Sequence, residues 1–376
     1  MKKFFSKFYA QILSVIIVSV IFGFISGVLG ELWLDSFLSG GVPDEQKIQT
    51  LSQRLDELTA KQDKKLKDIL SEKDLSVYST IESVRPAIVD FYAFRRKSNS
   101  YDDILLENDA RGVGAIMTAD GWILTDKSVL GGSGEEVAVS FDKKVYSIEE
   151  TVCDSGTTAC FIKIDAKDLP VVNLISREYL SSGQTALVIS GNNILPTNIE
   201  RLYFSSAEKK GDLIHSSEIH YQEIKLIETL DKKWLGAPLV NLDGQVFGIV
   251  TSENTALAID NIQMVIKQAV SEKKIVRPVL GVHFIDLSES IGWDKYADVK
   301  NGALIFASDL WPAVMAQSPA QKAGLLPGDI IISIEGETIT SSDTLTKLVQ
   351  SYKPGQEIVM KILRGVENIE KTVILE

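Results

Sequence analysis

The chain is poor in the side chains that most often bind metals or transfer protons. Its 376 residues include two cysteines, Cys153 and Cys160, and three histidines. A four-ligand zinc site is therefore not expected, and the sequence indicates no other metal and no cofactor. Positive charge is also scarce, since 39 Lys and Arg stand against 51 Asp and Glu, a formal net charge of −12. This balance argues against a nucleic-acid-binding protein, because phosphate binding needs a basic surface.

One long stretch near the amino terminus carries no charge at all. Residues 8–30 read FYAQILSVIIVSVIFGFISGVLG, and about 20 apolar residues cross a bilayer as a helix. Because lysines precede this stretch and acids follow it, the positive-inside rule predicts a cytoplasmic tail over residues 1–7. We expect a single-pass protein of the cell membrane whose main body is periplasmic or extracellular. The alternative is a cleaved signal peptide, although the apolar stretch is longer than such peptides usually have.

A helical segment is expected between this stretch and the folded body. After a breaker at residues 39–43, apolar residues recur from Ile48 to Ile69 at steps of three, four and eight. This spacing indicates an apolar stripe on a polar helix. Residues 31–76 are therefore assigned to a stem or linker, either a short coiled coil or a solvated amphipathic spacer.

The middle of the chain has the composition of a β-rich domain. Short runs of Val, Ile and Phe, such as Gly114–Met117 and Trp122–Thr125, alternate with turn residues. The dipeptide Asp120-Gly121 between these two runs favours a tight hairpin. Many short strands with few helices predict an antiparallel barrel or sandwich.

Five segments of this region resemble, in order and approximate spacing, the protease domain of the HtrA/Deg serine proteases. They read STIESVRPAIVDFYA (79–93), ARGVGAIMTADGWILTDKSVL (110–130), DSGTTACFIKID (154–165), LSSGQTALVISGNN (180–193) and WLGAPLVNLDGQVFGIV (234–250). The resemblance implies a mostly β fold, with a chymotrypsin-like double β-barrel over residues 77–275 and a PDZ domain over residues 277–376. It also implies assembly as trimers, in which Phe91, Tyr92 and Phe94 form either part of the interface or part of the barrel core.

At the three positions where the family has its catalytic triad, this sequence has other residues. Ser128 stands where the resemblance places the His, Thr158 where it places the Asp, and Leu235 where it places the nucleophilic Ser. Leu has no nucleophilic atom, and a Ser or Thr hydroxyl does not act as a base near neutral pH. Lys233 replaces an oxyanion-hole Gly, and Trp234 is expected to fill the cleft together with Leu235. These positions predict a pseudoprotease and not an enzyme, and the alternative is an active serine endopeptidase with a shifted or atypical site.

Two histidines and the two cysteines can be interpreted only in general terms. His215 and His220 lie outside the expected position of the base and are interpreted as surface residues of a strand or loop. Cys153 and Cys160 flank a predicted turn between two strands. They either form a cross-strand disulfide or remain two buried thiols.

The segment AQSPAQKAGLLPGDIIISIEGE (316–337) resembles a PDZ domain of the HtrA arrangement. PDZ domains bind a peptide as an added strand, with its terminal carboxylate on the N–H groups of a short loop. The resemblance places this loop at Leu280, Gly281 and Val282, and it implies a ligand with an apolar carboxy-terminal residue. Leu345, Leu348 and Val349 lie on a predicted helix. We expect them to line the side-chain pocket, or in part to belong to the domain core.

The sequence thus predicts a membrane-anchored, HtrA-like pseudoprotease that binds carboxy-terminal peptides of exported or misfolded proteins. It would act in envelope protein quality control, or as a regulator or scaffold of active proteases. The resemblance implies a homotrimer or a mixed oligomer with an active paralogue. A structural spacer without catalysis is the remaining alternative. Besides these proteins and the membrane contacted through residues 8–30, no partner is expected, and nucleic acid is not one.

Overall fold

The computed structural model describes Arg54, Glu57 and residues 72–94, 104–131, 135–191, 193–291 and 299–376. The expected tail, the apolar stretch 8–30 and most of the stem lie outside these residues. Among the residues that are described, no helix is both long enough and apolar enough to span a membrane. The chain divides into two units between Leu75 and Ser76, and the second unit contains all the strands described.

A helix, α1 (Glu72–Val84), precedes a closed six-stranded barrel. The strands of this first barrel are β1 (Ile88–Phe94), β2 (Gly112–Ile116), β3 (Trp122–Asp126), β4 (Glu135–Ser140), β5 (Val145–Cys153) and β6 (Ala159–Ile164). They pair in the order β1-β2-β3-β6-β5-β4, and β4 pairs back to β1. Every residue of β2 and β3 is buried. Phe91 and Tyr92 are buried as well, in agreement with a place in the barrel core.

The second barrel follows directly. The strands of this region are β7 (Asn173–Leu174), β8 (Thr185–Ser190), β9 (Asn193–Phe204), β10 (Ile214–Ser216), β11 (Glu223–Leu226), β12 (Pro238–Val240), β13 (Gln245–Val250) and β14 (Thr255–Ala258). All except β10 join one sheet in the order β12-β8-β9-β11-β14-β13-β7, and β12 also pairs with β13, which closes the ring. One apolar core runs through both barrels. The predicted fold, mostly β with two barrels, is confirmed for this region.

The carboxy-terminal domain has an apolar core of its own. A short helix α2 (Gln263–Lys267) leads towards it from the second barrel. Its elements are β15 (His283–Asp286), β16 (Ala303–Ile305), α3 (Pro319–Lys322), β17 (Ile330–Ile334), β18 (Glu337–Thr338), α4 (Leu345–Gln350), β19 (Glu357–Arg364) and β20 (Glu367–Ile374). The sheet runs β10-β15-β16-β17-β19-β20, so its first strand comes from the segment that links two strands of the second barrel.

A buried ion pair joins the first barrel to the start of the carboxy-terminal domain. Nε and Nη2 of Arg277 donate to the two carboxylate oxygens of Asp154 at 2.9 and 2.5 Å. The side chains are 6 % and 0 % exposed. Burial raises the pKa of Asp154, but the hydrogen bonds and charge of Arg277 outweigh it and hold that pKa below its usual value. The pair is therefore ionised and specific in geometry.

The turn that carries Asp154 is held by a disulfide. Cys153 and Cys160 are opposite each other in the β5–β6 register and are bonded, with their Cα atoms 4.1 Å apart. Of the two alternatives left open by the sequence, the structure has the disulfide. Asp154 follows Cys153 directly, so the bond fixes the backbone next to the carboxylate that receives Arg277.

Candidate functional site

The three positions expected from the family triad lie on neighbouring elements. Ser128 lies in a one-turn 3-10 helix after β3, Thr158 directly precedes β6, and Leu235 follows a second short helix. The N–H of Lys127 donates to the carbonyl oxygen of Thr158 at 2.7 Å. The N–H of Val113 in β2 donates to the carbonyl oxygen of Leu235 at 2.8 Å. Both barrels therefore contribute to this region.

The side chains of Ser128 and Leu235 are held by local contacts, whereas Thr158 is exposed. The hydroxyl of Ser128 donates to the carboxylate of Asp126, which also accepts the Ser128 N–H at 2.8 Å. Trp234 is buried in the barrel core, and Leu235 is partly buried and packs against that core. Lys233 places its Nζ 5.8 Å from the centroid of the Trp234 ring.

All three imidazoles contact groups that lie after residue 275 in the chain. His215 is buried on β10 and stacks on Tyr221 with ring centroids 3.6 Å apart, so its interpretation as a surface residue was wrong. The sequence signal was too weak, because a strand of three residues has no readable alternation. The contacts of the imidazole nitrogens are His215 with Glu289, His220 with Arg277, and His283 with the Pro312 carbonyl.

The edge of the carboxy-terminal sheet forms a groove between β15 and α4, and β10 lies in it. β10 pairs antiparallel with β15, with His215 opposite Phe284. On the helix side, Thr346 Oγ1 donates to the Ser216 carbonyl at 2.9 Å, and Gln350 Nε2 donates to the Ser217 carbonyl at 3.3 Å. The segment therefore has hydrogen-bonding partners on both sides.

The loop before β15 presents its N–H groups to a carboxylate. The N–H groups of Leu280 and Gly281 donate to Oε1 of Glu218 at 3.1 and 2.8 Å. The next N–H, of Val282, donates to the hydroxyl of Ser217 at 3.1 Å. Gly281 has φ +84°, and a Cβ there would overlap Ser318, so glycine is required. Two of the three predicted loop residues therefore bind the Glu218 carboxylate, and the third binds the neighbouring Ser217.

The helical residues expected at the side-chain pocket lie in the domain core, the alternative that the sequence left open. Leu345, Leu348 and Val349 are all buried in the core of the carboxy-terminal domain. They face the sheet because positions separated by three and four residues share one face of a helix. The groove side of α4 carries Thr346 and Gln350 instead. Their spacing of four places both side chains on one face of the helix, but this spacing alone does not distinguish a groove from solvent.

His220 and Tyr221 follow the residues that bind the loop before β15, and both side chains are uncharged near pH 7. Burial and the neighbouring Arg277 charge lower the pKa of His220 to about 3, so its imidazole is neutral near pH 7. Tyr221 donates its hydroxyl to Asp286 at 2.8 Å. Burial, followed by the Asp286 charge, raises the pKa of Tyr221 well above 10.0. This part of the segment is anchored without relying on a titration near neutral pH.

The fold is that of a trypsin-like protease domain followed by a PDZ domain. The first consists of two β-barrels, and the second is the carboxy-terminal sheet with its groove. The PDZ domain family model matches residues 278–375. The chain is 29 % identical over 281 residues to the probable periplasmic serine endoprotease DegP-like of Halomonas elongata, covering 71 % of this chain and 56 % of that relative. It is 28 % identical over 314 residues to the serine protease HTRA1 of Xenopus tropicalis, covering 79 % of this chain and 66 % of that relative.

Solved structures show the same fold. The HtrA-type protease AlgW with tripeptide has a TM-score of 0.60 at 19 % identity, over 79 % of this chain and 96 % of that one. AlgW with decapeptide has a TM-score of 0.59 at 20 % identity, over 79 % of this chain and 97 % of that one. The chain is therefore similar to HtrA-type and DegP-like serine proteases, shares their fold, and carries a PDZ domain at residues 278–375. It spans a little over half the length of the Halomonas relative.

The prediction that the chain is not an enzyme is contradicted by this comparison, because these relatives are named as serine proteases. That prediction rested on the residues at the three positions of the family triad. The residues at Ser128, Thr158 and Leu235 differ from the family triad, but such a difference excludes only that triad and not every hydrolytic arrangement. We therefore do not assign the chain to the pseudoproteases.

Proposed function

We propose that this chain binds the carboxy termini of extracytoplasmic polypeptides in the groove between β15 and α4, as part of envelope protein quality control. One observation carries the proposal: the N–H groups of Leu280 and Gly281 converge on a single carboxylate oxygen. Charge-assisted hydrogen bonds of this kind are about twice as strong as neutral ones. The pairing of β10 with β15 supports it further, because this edge accepts an added strand.

The comparisons support the same function. AlgW, a protein of the same fold, was solved with a tripeptide and with a decapeptide. The DegP-like relatives are named periplasmic, which supports a body outside the cytoplasm. We further propose that residues 8–30 anchor the chain in the membrane, that the protease domain covers residues 77–275 and the PDZ domain residues 277–376, and that the chain assembles as a homotrimer or with an active paralogue.

Binding of the full chain to two pools of labelled ten-residue peptides tests the proposal. The pools have the same sequences but end in a free carboxylate or in a carboxamide. The free acids are expected to bind at least about tenfold more tightly, since a hydrogen bond to a charged group contributes roughly 1.5–3 kcal/mol. Fluorescence polarisation measures both affinities. Equal binding of the two pools, or no binding by either the wild-type or the Glu218→Ala chain, would contradict the proposal.

Serine endopeptidase activity is a second candidate function, favoured by the names of the relatives. Incubating the full chain with casein, with and without a serine-directed inhibitor, tests it. Hydrolysis that the inhibitor abolishes supports this function, and intact casein beside an active HtrA-type protease as positive control contradicts it.

A further inference from the structure

We propose that residues 214–218 are an internal ligand of the PDZ groove, so that a carboxy-terminal peptide binds only after displacing them. The inference rests on the proposed function, because both concern the groove between β15 and α4. It adds a regulatory step: the chain itself competes with its peptide ligands.

The backbone of this segment occupies the place of an added strand. β10 pairs antiparallel with β15 over three residues, from Ile214 opposite Ile285 to Ser216 opposite His283. The pairing continues beyond the strand, where the N–H of Ser217 donates to the carbonyl of Val282 at 3.1 Å. A strand edge offers one row of N–H and C=O groups, so a second strand cannot pair there at the same time.

The side chain of Glu218 occupies the place of a terminal carboxylate. Its Oε1 accepts from the N–H groups of Leu280 and Gly281, and from the hydroxyl of Ser217 at 2.7 Å. Its Oε2 accepts from the hydroxyl of Ser216 at 2.6 Å. A backbone N–H has one hydrogen to donate, and two carboxylates at one site repel each other. An incoming peptide therefore has to remove Glu218 before its own carboxylate binds.

The hydrogen-bond donors on the helix side of the groove also bind the internal segment. Thr346 and Gln350 are both buried, and their donors bind the carbonyl groups of Ser216 and Ser217. A displacing peptide has to offer carbonyl groups at the same two places, because a buried donor left without an acceptor is costly. Ser217 is fully buried next to the carboxylate, so the filled groove fits a small side chain at that position. The class of ligand is an extended peptide with a free carboxy terminus and a small last residue.

Because of this competition, the apparent affinity for peptides is proportional to the fraction of chains whose groove is empty. A tethered ligand acts at an effective concentration of the order of millimolar. The apparent dissociation constant of a peptide is its intrinsic value divided by the fraction of chains whose groove is empty. Loss of the Glu218 carboxylate raises that fraction.

Substitution of Glu218 in the full chain tests the inference. We expect Glu218→Ala to bind the free-acid peptide pool at least tenfold more tightly than wild type. Hydrogen exchange, followed by mass spectrometry, is expected to be faster at residues 214–218 and 279–283 in the unliganded variant. Glu218→Gln keeps an acceptor without the charge and should be intermediate. Glu208→Ala, which removes an exposed glutamate from the same connection between β9 and β11, should behave as wild type.

The outcomes separate this inference from the proposed function. Equal peptide affinities of wild type and Glu218→Ala, or unchanged exchange at residues 279–283, would overturn the internal ligand. Faster exchange without peptide binding by any of the chains would support the internal contact and contradict the proposed function instead. Unchanged exchange in the barrels shows that a variant remains folded.

Discussion

Replacing Arg277 by Met is expected to destabilise the chain by about 3–5 kcal/mol, the usual cost of removing one partner of a buried ion pair. Asp154 has no exposed side-chain surface, so its carboxylate would remain buried without its main charged partner. Arg277 also donates from Nη2 to the carbonyl of Asn261 at 2.9 Å, a hydrogen bond lost in the same variant. Urea unfolding of the full chain, followed by tryptophan fluorescence, measures the change.

The double variant Asp154→Leu/Arg277→Met is the matched control. Replacing both members of a buried pair by apolar residues is often neutral or stabilising, so the double variant should be more stable than Arg277→Met alone. A single variant within about 1 kcal/mol of wild type would contradict the interpretation, since it would place the pair among the weak surface ion pairs.

The contribution of Asp154 to the free energy of unfolding should change with pH in opposite directions in wild type and in Arg277→Met. In wild type the pKa of Asp154 is below its value of 3.8 in an unfolded chain, so its contribution is complete above about pH 4 and is lost as the pH falls further. Without Arg277, burial raises the pKa of Asp154, and ionisation then destabilises the fold as the pH rises. The difference in stability between wild type and Arg277→Met should therefore narrow on acidification.

Replacing Gly236 by Ala is expected to cost about 3–5 kcal/mol, as the sum of a strained backbone and a steric overlap. Gly236 has φ +77°, and a Cβ there would overlap the carbonyl oxygen of Val113 and the hydroxyl of Thr125. Both of these groups are buried parts of the first barrel. The substitution would push the two barrels apart next to Leu235.

Gly183→Ala separates the two causes. Gly183 has a similar φ of +85°, but an added Cβ would meet nothing within 4 Å. This variant should cost only the backbone term, about 1–2 kcal/mol. The midpoints of urea unfolding compare the two chains. If Gly236→Ala is no less stable than Gly183→Ala, the close approach of the barrels at Gly236 is not a constraint.

Local patterns predicted the barrels well. The runs Gly114–Met117 and Trp122–Thr125 correspond to β2 and β3, and Gly121 between them has the positive φ that a tight turn needs. The signal was sufficient because the apolar runs and the turn dipeptide agree with each other. The resemblance to the family then supplied the order of the domains.

The groove could be predicted only in part. The loop at Leu280, Gly281 and Val282 was predicted from the resemblance to the family, whose loop has a glycine between two apolar residues. Its occupant was not, since Glu218 lies 62 residues before Leu280 and nothing near it in sequence signals a carboxylate receptor. The strand character of β10 likewise comes from pairing with β15 and not from its own three residues.

A reversible covalent lock tests the central claim, that peptides and the segment 214–218 compete for one groove, most directly. Ser216 and His283 are opposite each other in the β10–β15 register, and directly opposite residues of antiparallel strands have Cα atoms about 4.5–5.5 Å apart, within the range of a disulfide. The full chain with Ser216→Cys and His283→Cys is oxidised, assayed with the free-acid peptide pool, and assayed again after reduction. The wild-type chain with the same reductant controls for loss of the Cys153–Cys160 bond. We predict at least tenfold weaker binding in the oxidised state and recovery on reduction, whereas equal binding in both states would contradict the account.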